Sequence, residues 1–447
     1  MPNTLHLLRN FRVTTLPKVL AGHIDIKVLI KWLYAVIAMW NYCVGIFLGC
    51  LFAAYEYRFT ATVYVPSKAS KEKETTTTVQ LFGEICTLDT PPQEFPCVSK
   101  IESAVSNSNC RHGWFPSVVK GCKLHYRCFL PPHVERPKAI IIWMHGLQGS
   151  GGEAHILNTS DNSLQKTNMA LQADVYLKQG YAVYAMDMLG HGWSEGKRWY
   201  MPNGETMLAD YIRFIQGVNS LYKQQQNDNS DMKAEQAIPL FLSGYSYGGC
   251  LTLKAASYFQ TYPQDAPKGF QGIILQAPAI NNLEIFYFGP LVAWTVRNII
   301  NPILGANFTP PKWMFNRVHP KRFWRNPQRY RVGMEDNGMN AVGRHIPMQT
   351  CLTLVEEMIT LRNEVIPTLQ VPFCVVHGHK DQVIPLSGSQ YLMRASLTPR
   401  EDQSHLFFPE AYHDLLAEPE ANAAMEFQVN WIKERLAIWQ QQQKKYP

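Results

Sequence analysis

The sequence predicts an α/β protein: a mostly parallel sheet with helices on both faces, interrupted by a helical cap and preceded by a single transmembrane helix. Three observations predict it. Short, unbroken apolar runs alternate with stretches of helical periodicity, as buried parallel strands and their crossover helices do. An uncharged run spans Trp32 to Tyr55. And Gly244-Tyr245-Ser246-Tyr247-Gly248 joins an apolar run to a helical one, the context in which a G-x-S-x-G pentapeptide displays its serine at a sharp turn.

In chain order, residues 1–31 form a basic tail, with Arg9, Arg12, Lys18, Lys27 and Lys31 against a single acid, Asp25. The run 32–55 follows. At about 1.5 Å rise per residue it crosses a hydrocarbon core of about 30 Å with some tilt, and Trp32, Tyr34 and Tyr55 sit at its ends as interfacial aromatics. It is too long and too far from the N-terminus for a cleaved signal peptide, so the bilayer is an expected partner. The slight excess of basic residues before the run favours a cytosolic N-terminus and a lumenal or extracellular remainder. The sequons Asn158-Thr159-Ser160 and Asn307-Phe308-Thr309 lean the same way.

Residues 56–115 shift to Thr, Ser, Lys, Glu and Pro and read as a stalk or extension. Five of the ten cysteines, Cys86, Cys97, Cys110, Cys122 and Cys128, cluster here and just beyond. With no C-x-x-C pair, a zinc site is not expected. One or two disulfides and free buried thiols both remain open. The net charge of +7 is scattered, without a basic stripe interleaved with aromatics, so no nucleic-acid partner is expected. Charged residues at 17% and aromatics at 12% leave ample apolar material for a core.

The first part of the core, 116–280, begins with an alternating strand, Leu124–Leu130. Continuous apolar strands follow at Ala139–Met144, leading into His145-Gly146-Leu147, and at Tyr181–Met186, leading into Asp187 and His191. Met207–Gln224 carries an apolar helical face, and Gln224–Gln236 is a polar loop. The serine strand Pro239–Ser243, the helix Gly249–Phe259 and the strand Phe270–Gln276 complete this part. Residues 281–370 break the pattern with prolines and clustered apolar residues, such as Ile285–Phe288 and Trp313–Phe315. They read as a cap over the strand ends, where its apolar side chains line a slot for a long substrate or simply pack the cap onto the sheet. The second part of the core, 371–447, supplies strands at Val371–Val376 and Leu406–Phe408. Ligands of such sheets bind beyond the C-terminal ends of the strands.

A serine hydroxyl becomes a competent nucleophile only with a base in hydrogen-bond reach and an acid behind that base. In this kind of sheet the three follow in the order Ser, acid, His. Downstream of Ser246, His413 in a loop after the last strand is the expected base; His377 and His379 are weaker candidates. Asp381, after the strand ending at Val376, is the expected acid, with Glu284 as runner-up. Asp414 is set aside because it adjoins His413, and Asp187 and His191 are expected to shape their turn. Backbone N–H groups of Tyr247 and Leu147 are the expected oxyanion donors. His145 and Gly146 brace the Leu147 turn, and Gly244 and Gly248 permit the sharp one at the serine. The chemistry needs no metal and no organic cofactor.

His145-Gly146, Gly190-His191-Gly192-Trp193-Ser194-Glu195-Gly196, Gly244–Gly249, Lys380-Asp381 with Val383-Ile384-Pro385, and Ala411-Tyr412-His413 together resemble the monoacylglycerol lipase branch of the α/β-hydrolases. That branch includes lysophospholipase-like and plant esterase relatives. The resemblance covers roughly Lys123 to the C-terminus. It implies Ser246 as nucleophile, Asp381 and His413 as its partners, Leu147 and Tyr247 as oxyanion donors, and a cap over an acyl-chain slot. The chain departs from the branch at Tyr245, where the relatives usually have histidine, and in the loop after Leu147. The expected function is a membrane-anchored serine hydrolase that cleaves acyl esters of amphiphilic lipids, monoacylglycerol or lysophospholipid, through an acyl-enzyme on Ser246. The alternatives are carboxylesterase, thioesterase or peptidase chemistry, or a non-catalytic binding protein on the same fold. Oligomeric state is left open.

Overall fold

The computed structural model describes residues 86–87, 109–132, 134, 136–151, 168–227, 237–280, 293–309, 322–326 and 346–445, all within one compact unit, Tyr64–Pro447. Among the described residues, nine strands form a single sheet: β1 (Cys86–Thr87), β2 (Asn109–Pro116), β3 (Lys123–Leu130), β4 (Ala139–Met144), β5 (Tyr181–Met186), β6 (Leu240–Tyr245), β7 (Phe270–Gln276), β8 (Phe373–Gly378) and β9 (Gln403–Phe408), in the spatial order β1-β2-β3-β5-β4-β6-β7-β8-β9. From β5 to β9 all neighbours pair in parallel, while β1, β2 and β3 add an antiparallel flank.

The central strands are apolar on both faces because both faces are covered. On β4, Ile140, Ile142 and Met144 enter a cluster with Tyr211, Phe214, Leu251 and Leu253. These come from α2 (Gly204–Asn227) and α3 (Tyr247–Thr261). The alternate residues Ala139, Ile141 and Trp143 enter a second cluster with Ala173, Tyr176, Met425 and Ile432, from α1 (Asn168–Lys178) and α6 (Ala421–Lys445). Period-two alternation thus feeds two cores at once, which is why these strands read as unbroken apolar runs.

β1 has no counterpart in the sequence expectation, and β6 and β8 lie one to two residues later than expected; β2 and β9 differ most. β2 uses residues assigned to the extension 56–115; it pairs with β3 over its whole length, and Gly113 lies under the Tyr126 ring, where a Cβ would meet the phenol at 2.5 Å. Its stability comes from that ladder and from Tyr126 covering the glycine, neither of which leaves an apolar pattern in the strand itself. β9 begins at Gln403, earlier than its apolar tail suggests, because an edge strand has to bury little of its surface. Cys122 and Cys128 are free thiols, and burial pushes the Cys128 thiol up to about 12. The disulfide expectation therefore does not extend to these two.

Within 281–370 the described parts are mainly helical: a segment through Val296–Leu304 and α4 (Met348–Thr360). Met348, Leu352, Val355 and Met358 form one buried stripe on α4, and Met358, Leu361 and Ile366 join the sheet's own core. α5 (Ser387–Ala395) follows β8. The run 32–55 lies outside the described residues, as do Glu284 and residues 281–292, 310–321 and 327–345 of the cap. Among the described residues, no helix is long and apolar enough to cross a membrane.

Candidate active site

The serine turn is built by close contact. Ser246 lies between the end of β6 and the start of α3 with φ 53° and ψ −119°, a backbone region that costs a non-glycine residue roughly 1–3 kcal/mol. Its N–H donates to the Gln276 carbonyl at 3.0 Å, and its carbonyl accepts from Ala279 N–H at 2.8 Å, so neighbouring β7 holds the turn in place. A Cβ at Gly244 would collide with the Gly248 carbonyl oxygen, and one at Gly248 would collide with that of Met144. The flanking glycines are required because backbone fills the space where side chains would go.

Three chain-distant side chains converge there. His413 Nε2 is 3.0 Å from Ser246 Oγ, and His413 Nδ1 is 2.6 Å from Asp381 Oδ2. Because an ionised carboxylate only accepts, Nδ1 carries the proton and Nε2 presents a lone pair to the serine hydroxyl. Asp381 Oδ1 accepts from Val383 N–H and Ile384 N–H, both at 2.8 Å. Burial pushes the Asp381 carboxyl up, but the adjoining His413 charge and the hydrogen bonds from His377 and His413 outweigh it and hold the group well below the usual carboxylate range. His413 and Asp381 are buried, whereas Ser246 is half-buried.

The proposed oxyanion donors lie on either side of the serine. Tyr247 opens α3, so its N–H has no partner inside the helix. Leu147 follows Gly146, where an added Cβ would stand 3.1 Å from Ser246 Cβ. His145 braces this turn from beneath: its Nδ1–H donates to the Gly146 carbonyl at 2.7 Å and its Nε2 accepts from Met188 N–H at 3.0 Å. Burial lowers the imidazole to about 4, which keeps it neutral and suited to that bridging role.

Asp187 extends the brace. It accepts from His125 Nδ1–H at 2.9 Å, from Gly151 N–H at 2.5 Å and from Trp193 N–H at 2.9 Å, with the Arg127 guanidinium at 3.3 Å. Loops after β4 and β5 are thereby tied to β3. His191 donates its Nδ1–H to Leu189 O at 2.9 Å. Both residues shape their turn, as their sequence context suggests.

Three contacts escaped sequence reading. His377 reaches Asp381 Oδ2 at 3.0 Å. Tyr245 packs against His413 with the rings tilted by 38° and their centroids 5.1 Å apart, and Phe323 meets the same imidazole edge-on at 5.3 Å. Phe323 comes from 281–370 and is fastened there: Asp414 N–H donates to its carbonyl at 3.1 Å, and Trp324 Nε1–H donates to Asp414 Oδ2 at 2.5 Å. Asp414 thus turns its carboxylate to Trp324. Proximity of His377 to Asp381 (i, i+4 around a turn) is the one signal in the sequence that could have found any of these. Among the described residues, no group of His, Cys, Asp and Glu is arranged to hold a metal ion.

The chain has relatives among known proteins. A family model described as "Serine aminopeptidase, S33" matches residues 167–420, more than half of the chain. A rat monoglyceride lipase is 25% identical over 259 residues, covering 57% of this chain and 74% of the rat protein. A caffeoylshikimate esterase from Arabidopsis thaliana is 27% identical over 272 residues, covering 58% and 70%. Among solved structures, a soluble variant of monoglyceride lipase from Saccharomyces cerevisiae, in complex with a substrate analog, superposes with a TM-score of 0.53 at 17% identity. That match covers 72% of this chain and 94% of the yeast chain, and it speaks to fold alone.

Proposed function

The chain belongs to the serine aminopeptidase S33 family, and from that premise we propose that it is a monoacylglycerol lipase-like serine ester hydrolase of the α/β-hydrolase fold, acting on monoacylglycerols or lysophospholipids. One observation carries the chemistry: the continuous chain from Ser246 Oγ through His413 to Asp381, at 3.0 and 2.6 Å. His413 Nε2 takes the hydroxyl proton as Oγ attacks the ester carbonyl. The N–H groups of Leu147 and Tyr247 hold the oxyanion of the tetrahedral intermediate, an interaction typically worth about 3 kcal/mol per donor. Collapse of the intermediate transfers the proton from Nε2 to the leaving alcohol and leaves an acyl-enzyme on Ser246. Water, activated by the same imidazole, then releases the fatty acid.

The substrate class is supported by the monoglyceride lipase relatives and by the apolar composition of 281–370. The run 32–55 anchors the chain in a bilayer, where such amphiphiles reside, and the basic tail 1–31 stays cytosolic with the catalytic part lumenal or extracellular. Asn307, in the second sequon, is exposed and suited to carry a glycan in that topology. The relationship to caffeoylshikimate esterase favours one second reading, an esterase for a bulkier, less lipid-like alcohol.

A fluorophosphonate probe is expected to label Ser246 in the detergent-solubilised full chain, and Ser246→Ala is expected to abolish labelling. Retained labelling in that variant would sink the mechanism. A panel of monooleoylglycerol, lysophosphatidylcholine, aryl esters and short-chain esters separates the substrate readings; preference for acetyl or aryl esters over the two lipids would remove the lipase reading.

A further inference from the structure

Asp381 is held by more than the one imidazole its proposed role requires. His377, the penultimate residue of β8, is fully buried and reaches three acceptor or hydroxyl atoms. Its Nε2 is 3.0 Å from Asp381 Oδ2 and 3.0 Å from the Ile384 carbonyl oxygen, and its Nδ1 is 2.8 Å from Ser389 Oγ. The first two partners only accept, so Nε2 carries a proton and shares it between them. In the neutral ring, the Ser389 hydroxyl therefore donates to Nδ1. Oδ2 of Asp381 consequently lies between two N–H groups, one from His413 and one from His377, while Oδ1 lies between the Val383 and Ile384 N–H groups. Rotation about the Cβ–Cγ bond of Asp381 would break four hydrogen bonds at once. Without His377, the oxygen that faces His413 would be held only by the ring it is meant to orient.

We propose that His377, aligned by Ser389, is a positioning residue that fixes the Asp381 carboxylate against His413. The inference rests on the reading of Ser246, His413 and Asp381 as a catalytic triad. It assigns to this buried histidine a role that neither the G-x-S-x-G turn nor the order Ser, acid, His requires. A leucine at 377 fills a similar space without a donor, whereas glutamine places an amide N–H close to where Nε2 stands. The two variants separate donation from packing.

The test uses the full-length chain in detergent, with fluorophosphonate inactivation and p-nitrophenyl butyrate hydrolysis as readouts. His377→Leu is expected to lower kcat and the inactivation rate constant together, by about 10- to 100-fold, because misplacement of a catalytic group on the ångström scale costs that much. KM should stay within about twofold, since His377 is fully buried and both its ring nitrogens are taken up by Ser389, Asp381 and Ile384. His377→Gln should recover most of both rates. Wild-type rates in His377→Leu, or equal losses in the Leu and Gln variants, would overturn the proposal. If His377→Leu does not fold, as judged by its thermal transition, Ser389→Ala decides: a several-fold fall in kcat at constant KM supports the role, and an unchanged kcat removes it. Failure of the triad reading is distinguishable, because in that case Ser246→Ala keeps its activity whatever the His377 variants do.

Discussion

Two buried carboxylates, Asp187 after β5 and Asp381 after β8, accept from an imidazole Nδ1–H at similar distance, 2.9 and 2.6 Å. Burial pushes both up, and their partners hold both well below the usual carboxylate range. Their surroundings nevertheless differ in kind. Asp187 faces a permanent cation, Arg127, and its remaining partners are backbone amides and a histidine enclosed by Trp114 and Trp193. Its charge is neutralised where it stands, and no proton needs to move. Asp381 is met by two imidazoles and two backbone amides, and the far nitrogen of His413 faces Ser246. In the proposed mechanism its charge stays available to stabilise the imidazolium that forms when the serine is deprotonated. The same side chain in the same kind of burial thus serves as a clamp or as an electrostatic partner, according to whether a guanidinium or a second titratable ring is its neighbour.

That contrast can be broken by substitution. The largest expected effect is on turnover with Ser246→Ala, a loss on the order of 10^5- to 10^6-fold in kcat with the folded state retained. Next, Asp381→Asn should cost about 10^4-fold in kcat, since an amide no longer fixes the His413 tautomer. If Asp381→Asn stayed active, the two carboxylates would have to be treated as equivalent clamps. Asp187→Asn should show the reverse pattern. It leaves the Arg127 guanidinium buried without its counter-charge and should destabilise by about 3–5 kcal/mol in urea unfolding, with any residual folded fraction still labelled by fluorophosphonate. Loss of labelling in a variant of wild-type stability would place Asp187 in the chemistry.

The smallest effect sharpens the comparison through pH. His145 and His191 are lowered by burial to about 4 and about 3. Between pH 6.5 and those values the unfolded chain binds protons that the folded chain refuses, so stability falls as pH drops through that window. The His145 shift amounts to roughly 3 kcal/mol by pH 4. The carboxylates act lower: stability from Asp187 and Asp381 is complete above about pH 4 and fades only as pH falls toward their depressed folded values. Urea unfolding at pH 7.5 and pH 5 should therefore show a marked loss. His145→Asn, which keeps a donor to Gly146 and does not titrate, should flatten the slope; an unchanged slope in that variant would mean the imidazole is not buried neutral.

The histidines also mark the line between local and global information. β4, β5 and β7 could be read to the residue because each is apolar on both faces and bounded by polar or glycine turns, a pattern contained in a few consecutive positions. The serine turn was equally legible, since the residues that allow it are the glycines beside it. β2 was not, because what makes it a strand is the partner ladder and a tyrosine from β3.

Sequence alone determined the central strands and nominated Ser246, His413 and Asp381, because chain order and local pattern restrict the choice to few residues. Only the tertiary structure decided who surrounds them. Ser246 and His413 are 167 positions apart, and Arg127 and Asp187 are 60 apart. Whether a histidine binds, braces or merely fills space depends on which atoms the fold brings within about 3 Å of its two nitrogens. His377, Tyr245 and Phe323 acquired their places at the site in that way, through contacts made only when β6, β8 and the segment around residue 323 come together beyond the strand ends.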